Sequence, residues 1–251
     1  MDTTFFLFVI AGFLAQMIDG CIGMAYGVSS TSLLLSIGVP PAAASASVHS
    51  AEVFTTFVSG ISHYSLKNID KKLFSSLVIP GVIGGITGAF ILTNIDTAII
   101  KPIISIYLVA MGVRIIWKAF GKEAKKAAKK LEGVKLYILG VIGGFLDAIG
   151  GGGWGPVVTT TLVADGNTPR FVIGSVNASE FFVTVAQAIT FVTLIGLGEY
   201  WKIILGLAVG GVIAAPLAAF LVRKISPKAM MIMVGAVVAV LNIRTIILML
   251  I

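Results

Sequence analysis

Four acidic residues stand inside otherwise apolar stretches of this 251-residue chain: Asp19, Glu52, Asp147 and Glu180. Placing an ionisable side chain at membrane depth costs on the order of 2.5 kcal/mol or more, so each is a functional candidate by default. They form two pairs at one spacing, since 19 to 147 and 52 to 180 both span 128 residues. Carboxyls in such places suit proton transfer, because desolvation disfavours the ionised form. Glu52 and Glu180 are therefore expected to couple protons, with Asp19 and Asp147 as further proton-coupling candidates. The aspartates have a second reading, as N-caps accepting hydrogen bonds from the next helical turn.

Each aspartate is followed by a glycine-rich run, Asp19-Gly-Cys-Ile-Gly-Met-Ala-Tyr-Gly27 and Asp147-Ala-Ile-Gly-Gly-Gly-Gly-Trp-Gly155. The same offset carries Gly38 to Gly166, Pro41 to Pro169, Ser47-Val48 to Ser175-Val176 and Thr56 to Thr184. After a two-residue slip, Phe90 matches Phe220 and Arg114 matches Arg244. The chain is one unit written twice: residues 1–120, a charged linker at 121–133, and residues 134–251.

The composition says where such a unit lives. The chain is 57% hydrophobic and 12% charged, with mean hydropathy +1.05. A soluble domain is nearer half apolar and a quarter charged. The fold class is an all-α polytopic membrane protein; an outer-membrane barrel would need short alternating segments, which are absent. The net charge of +7 reflects Lys and Arg at helix ends and connectors, and implies no nucleic-acid partner. One cysteine, Cys21, excludes an internal disulfide. Met1-Asp2-Thr3-Thr4 offer no basic n-region, so no cleaved signal peptide is expected. No nucleotide-binding motif, cofactor motif or metal-ligand spacing is present, so ATP-driven transport and enzymatic activity are not expected.

Breakers divide each unit into five segments, roughly 4–18, 28–37, 42–64, 73–94 and 97–118, then 134–146, 156–164, 171–195, 200–222 and 229–251. The second segment, at ten residues, makes about 15 Å of helix, half of a roughly 30 Å hydrocarbon core. The first two segments thus read as a re-entrant hairpin with its apex at the glycines; two tilted crossings remain open as the alternative. Either way each unit has an odd number of further crossings, three, so the second unit is inverted relative to the first. With both termini outside, fifteen Lys and Arg, including the five linker lysines, fall inside; Lys101, Lys202 and Arg244 do not. That asymmetry fits an inner cell membrane with a cytoplasmic linker. The linker reads as a solvated helix drawn to anionic headgroups.

Two glycine breaks entering from opposite faces would meet near the midplane. Short helices starting there would aim free N–H groups and positive dipole ends at the centre, which suits an anion. The substrate-binding candidates are Gly23, Tyr26, Gly27, Gly151, Gly152, Gly153 and Trp154, the two aromatics walling the site. Ionised aspartates would repel that anion, so neutral forms would be needed for part of the cycle. Segment 42–64 adds a one-face stripe of Ser45, His49, Glu52, Thr56, Ser59 and His63, repeated as Asn177, Glu180, Thr184 and Gln187. Ser47, His49, Ser175 and Asn177 join the binding candidates, while His63 reads as interfacial. Arg114 and Arg244, near helix ends, are expected to snorkel.

Several stretches together resemble the sulfite exporter TauE/SafE family, also called the toluene-sulfonate uptake permease family. They are Gly12-Phe-Leu-Ala-Gln-Met-Ile-Asp-Gly20, the Gly23–Gly27 run, Ala44-Ser-Ala-Ser-Val-His-Ser-Ala-Glu52, Gly144-Phe-Leu-Asp-Ala-Ile-Gly-Gly-Gly-Gly-Trp-Gly-Pro156 and Gly174-Ser-Val-Asn-Ala-Ser-Glu180. The resemblance covers essentially the whole chain. It implies transport of small sulfur-containing anions such as sulfite or organosulfonates. The first copy departs from glycine richness, with Cys21, Met24 and Ala25 where the second has Ile149, Gly152 and Gly153. The expected function is a proton-coupled secondary transporter working by alternating access around a midplane site. Its partners are a small anion and the bilayer, with a homodimer as the oligomer considered. An anion channel built on the same half-helices is the alternative. An intramembrane aspartyl protease would place glycine before its aspartates, whereas Ile18 and Leu146 stand there.

Overall fold

The computed structural model describes residues 3–22, 24–120, 131–165, 167–196, 198–221 and 227–251. Gly23 and most of the linker, 121–130, lie outside the described residues. Within them every regular element is a helix. The first half holds α1 (Thr3–Ile22), α2 (Tyr26–Ser36), α3 (Pro41–Ser65), α4 (Lys71–Asn94) and α5 (Thr97–Phe120). The second holds α6 (Val134–Gly150), a π-helical turn (Trp154–Thr159) running into α7 (Thr160–Ala164), then α8 (Pro169–Ile195), α9 (Trp201–Leu221) and α10 (Pro227–Leu250).

The starts are chemically specified. Pro41, Pro169 and Pro227 open α3, α8 and α10, where a missing N–H costs nothing. The Asp70 carboxylate accepts from the Lys72 and Leu73 amides at 2.9 and 3.2 Å, and Asp96 accepts from Ala98 N at 2.7 Å. Gly38 (φ +93°) and Gly151 (φ +65°) end α2 and α6 in the left-handed region that favours glycine.

Among the described residues four helices are long and apolar enough to cross a membrane: Lys71–Asn94, Thr97–Phe120, Arg170–Ile195 and Met231–Leu250. Helix α3 matches them in length, at 25 residues, and its polar stripe lowers its hydropathy. The short second arm of each unit is as expected, with 11 residues in α2 and Trp154–Ala164 in the other half. The first arm is longer than expected. Helix α1 has 20 residues, about 30 Å at 1.5 Å per residue, because it continues through Asp19 to Ile22 instead of breaking at Ile18. Large apolar side chains such as Leu14, Ile79, Ile106 and Val240 are exposed, a surface for lipid rather than water.

Packing pairs α1 with α9, α4 with α6, α5 with α10 and α3 with α8. Under the 128–130-residue offset α1 corresponds to α6 and α9 to α4, so the first two pairings exchange. Both are close backbone contacts of the small-residue kind. A Cβ at Gly12 would lie 2.6 Å from Leu207 Cα, and one at Gly144 3.0 Å from Gly85 N. Helices α3 and α8 run antiparallel: the Thr56 and Thr184 hydroxyls are 3.4 Å apart, and Ser59 Oγ donates to Asn177 Oδ1 at 3.1 Å.

Candidate functional site

The two aspartates make the same contact in each half. Asp19 Oδ1 accepts from the amides of Ala25 (2.7 Å) and Tyr26 (3.2 Å). Asp147 Oδ1 accepts from Gly153 (2.7 Å) and Trp154 (2.9 Å), their partners at the 128-residue offset. Each carboxylate thus folds back onto the turn that opens its short helix, capping amides that would otherwise face an anion.

The two capped turns touch. A Cβ at Gly27 would lie 2.7 Å from Gly152 Cα, and one at Gly152 2.6 Å from Gly27 C. Thr31 Oγ1 donates to Gly151 O at 3.1 Å. Only glycine permits this crossing of backbones. Glu52 lies against it, its Oε1 3.1 Å from where a Gly27 Cβ would sit.

A cavity of about 260 Å³ adjoins the crossing. From the first half it is lined by Gln16, Asp19, Tyr26, Gly27, Glu52, Thr55, Thr56, Ser59 and His63, and from the second by Asp147, Gly152, Pro156, Ile173, Asn177 and Glu180. Its described lining holds four carboxylic acids and no Lys or Arg. Glu52 is 5% exposed, and its Oε2 has no hydrogen-bond partner among the described residues.

Asp147 is held further. Its Oδ2 accepts from His49 Nε2 at 3.1 Å and Gln187 Nε2 at 3.0 Å. Nδ1 of His49 lies 2.8 Å from Ser45 O and 3.2 Å from Ser45 Oγ, so the ring is held on both of its nitrogens.

The cavity thus gathers Tyr26, Gly27, Gly152, Asn177, Asp19, Glu52, Asp147 and Glu180 from the binding and coupling candidates. Others lie beside it or away from it. Trp154 is fully buried, its Nε1 donating to Val176 O at 3.1 Å, and Tyr26 alone of the two aromatics is in the lining. Gly151 and Gly153 serve the crossing and the cap. Ser47 donates to Ala43 O within its own helix. Ser175 accepts from Asp70 N and donates to Asp70 O, tying α8 to the α3–α4 connection. His49 is buried against Asp147. His63, read as interfacial, lies in the lining. Arg114, half-buried, donates to Thr160 Oγ1 and Arg244, exposed, to Ser36 O, both at 2.9 Å, each meeting the short arm of the other half. Sequence reasoning missed Gln16, Thr55, Pro156 and Ile173. Gln16 and Thr55 each stand three residues from an acid, one turn away on the same face, which was the available signal.

The model of the family described as sulfite exporter TauE/SafE matches residues 8–245. The chain belongs to this family. This TauE/SafE chain is 45% identical over 246 residues to the probable membrane transporter protein YtnM of Bacillus subtilis (strain 168), covering 96% of this chain and 82% of that protein. It is 26% identical over 254 residues to the probable membrane transporter protein MJ0441 of Methanocaldococcus jannaschii, covering 94% and 93%. No solved structure gives a significant match. The expected family is thereby met, and the TauE/SafE chain is a membrane transporter by kinship and by its apolar helices.

Proposed function

We propose that this chain moves a small sulfur-containing anion, sulfite or a sulfonate, by proton-coupled alternating access. Residues 1–120 and 134–251 act as inverted repeats in an inner membrane, with termini outside and the 121–133 linker cytoplasmic. The exchange of α1–α9 with α6–α4, and the antiparallel crossing of α3 with α8, support inversion. The site is the cavity beside the Gly27–Gly152 crossing, where Tyr26, Asn177 and the threonine hydroxyls face the substrate.

The single observation that carries coupling is the lining itself. Glu52, Glu180 and Asp19 face a space to which, among the described residues, no Lys or Arg contributes. A unit anion about 4 Å from one ionised carboxylate is repelled by about 4 kcal/mol at an effective dielectric of about 20. The anion therefore enters together with protons that neutralise the glutamates. The test is uptake of labelled sulfite and sulfonates into proteoliposomes with and without a pH gradient. Gradient-dependent uptake is expected; absence of transport for every sulfur anion would sink the substrate reading.

A further inference from the structure

Matched positions in the two halves have opposite surroundings. Thr55, Ser59 and His63 of α3 line the cavity. Their counterparts 128 residues on, Val183, Gln187 and Phe191 of α8, are fully buried. At the other ends of the same helices the relation reverses. Ile173 and Asn177 of α8 line the cavity, while their counterparts Ser45 and His49 of α3 are fully buried. The site is therefore open along one end of the antiparallel α3–α8 pair and shut along the other.

The shut end has specific fastenings. His49 and Gln187 both bond Asp147 Oδ2. Ser45 Oγ donates to Ala148 O at 2.5 Å. The Phe191 ring covers His49, with centroids 6.0 Å apart. Asp19, the counterpart of Asp147, caps its short helix in the same way, and both line the cavity, but the bonds from His49 and Gln187 fall on Asp147. At that open end Asn177 is bonded to Ser59, the counterparts of His49 and Gln187.

We infer that His49 is a positioning residue of the transport cycle: with Gln187 and Phe191 it forms a gate that grips Asp147 and shuts one end of the site. In the opposite state Asn177 and Ser59 close on Asp19, and the His49–Asp147 contact opens. The caps on the short helices persist in both states, since they use the other carboxylate oxygen. The open end in this structure is the one beside Lys67 and Arg170, which bonds Asn68 and Leu66 O; in the proposed orientation it is cytoplasmic. The inference rests on the alternating-access reading, but its test needs no substrate, so the two can fail separately.

The experiment uses a Cys21→Ser background with one added cysteine, Ser59→Cys at the open end or Ser45→Cys at the shut end. A membrane-impermeant methanethiosulfonate reagent is applied to inverted and right-side-out vesicles. Ser59→Cys is expected to react from the cytoplasmic face, and Ser45→Cys to stay protected. Adding His49→Ala should raise Ser45→Cys labelling from the opposite face by about tenfold or more, as loss of a buried hydrogen bond to a carboxyl group implies, and lower Ser59→Cys labelling. His49→Gln, which keeps a donor toward Asp147, should restore protection. Unchanged protection of Ser45→Cys in the His49→Ala protein, with Ser59→Cys still reactive, overturns the gate. If both cysteines react faster because that variant unfolds, Phe191→Ala decides by the same pair of readouts: exposure of Ser45→Cys alone supports the gate, and continued protection overturns it.

Discussion

The hydroxyl oxygens of Thr56 and Thr184 lie 3.4 Å apart, and each residue is the other's counterpart across the repeat. In the proposed inversion, a residue that meets its own counterpart sits on the local two-fold that would relate the two copies. Because Ser59 meets Asn177 close by, the two helices cross antiparallel there, which is the relation inverted halves require. In a Cys21→Ser background, Thr56→Cys with Thr184→Cys should form a disulfide on mild oxidation, read as loss of two free thiols by mass spectrometry. Thr56→Cys with Thr190→Cys should stay reduced. The reverse result would move the crossing elsewhere.

Glu52 and Glu180 face the cavity from the two matched helices. Protonation removes their repulsion of an anion, so substrate binding should strengthen as pH falls and weaken as it rises. Glu52→Gln and Glu180→Gln should each flatten that pH profile and reduce proton-driven accumulation, while downhill exchange continues. Measuring initial rates across pH in proteoliposomes checks this. A Glu52→Gln protein with wild-type accumulation and an unaltered profile would remove Glu52 from coupling and favour a channel.

The two aspartates should differ in stability cost. Among the described residues Asp147 accepts four hydrogen bonds, two from amides and two from buried side chains, whereas Asp19 accepts from two amides. Asp19→Ala should cost about 1 kcal/mol, as for an N-cap. Asp147→Ala should cost about 3 kcal/mol or more, because it also strands a buried partner. Thermal unfolding in detergent ranks them; equal losses would show that the His49 and Gln187 contacts add nothing.

The Gly27–Gly152 contact has no room for a methyl group. A Cβ at Gly152 would sit 2.6 Å from Gly27 C, a contact that backbone atoms cannot relieve by rotation. Gly152→Ala should therefore cost roughly 3 kcal/mol, the upper range for overpacking. Gly133→Ala is the comparison: its Cβ meets open space but its φ is +55°, so only the smaller backbone penalty, about 1 kcal/mol, applies. Melting curves of the two variants separate steric from conformational cost.

Much of this arrangement was legible in the chain. One spacing located both short-helix starts, at Tyr26 and Trp154, and both capping carboxylates, because a cap and its turn are contiguous and carry their own signature. The stripe on α3 was equally plain. What the residues did not disclose was which copy faces the cavity. Thr55 and Val183, or His63 and Phe191, occupy equivalent places, and the choice between open and shut is made by packing between halves far apart in sequence. For the same reason Trp154 and Tyr26, alike by spacing, diverge: Trp154 fills a pocket against Gly81 and Gly143, while Tyr26 borders the space. The partners of Arg114 and Arg244 were hidden because they lie on the opposite half's short arm.

His49 and Asn177 occupy equivalent positions but differ in size and in the groups they offer for hydrogen bonding. In the proposed cycle two closures built on unlike residues are expected to differ in free energy, so that the empty protein favours one side. A ligand arriving at the rarer face meets a receptive form only in proportion to its population, and its apparent affinity falls by that fraction. In the proposed cycle the two faces would therefore bind substrate with unequal apparent affinity, while the gradients alone set the direction of net flow.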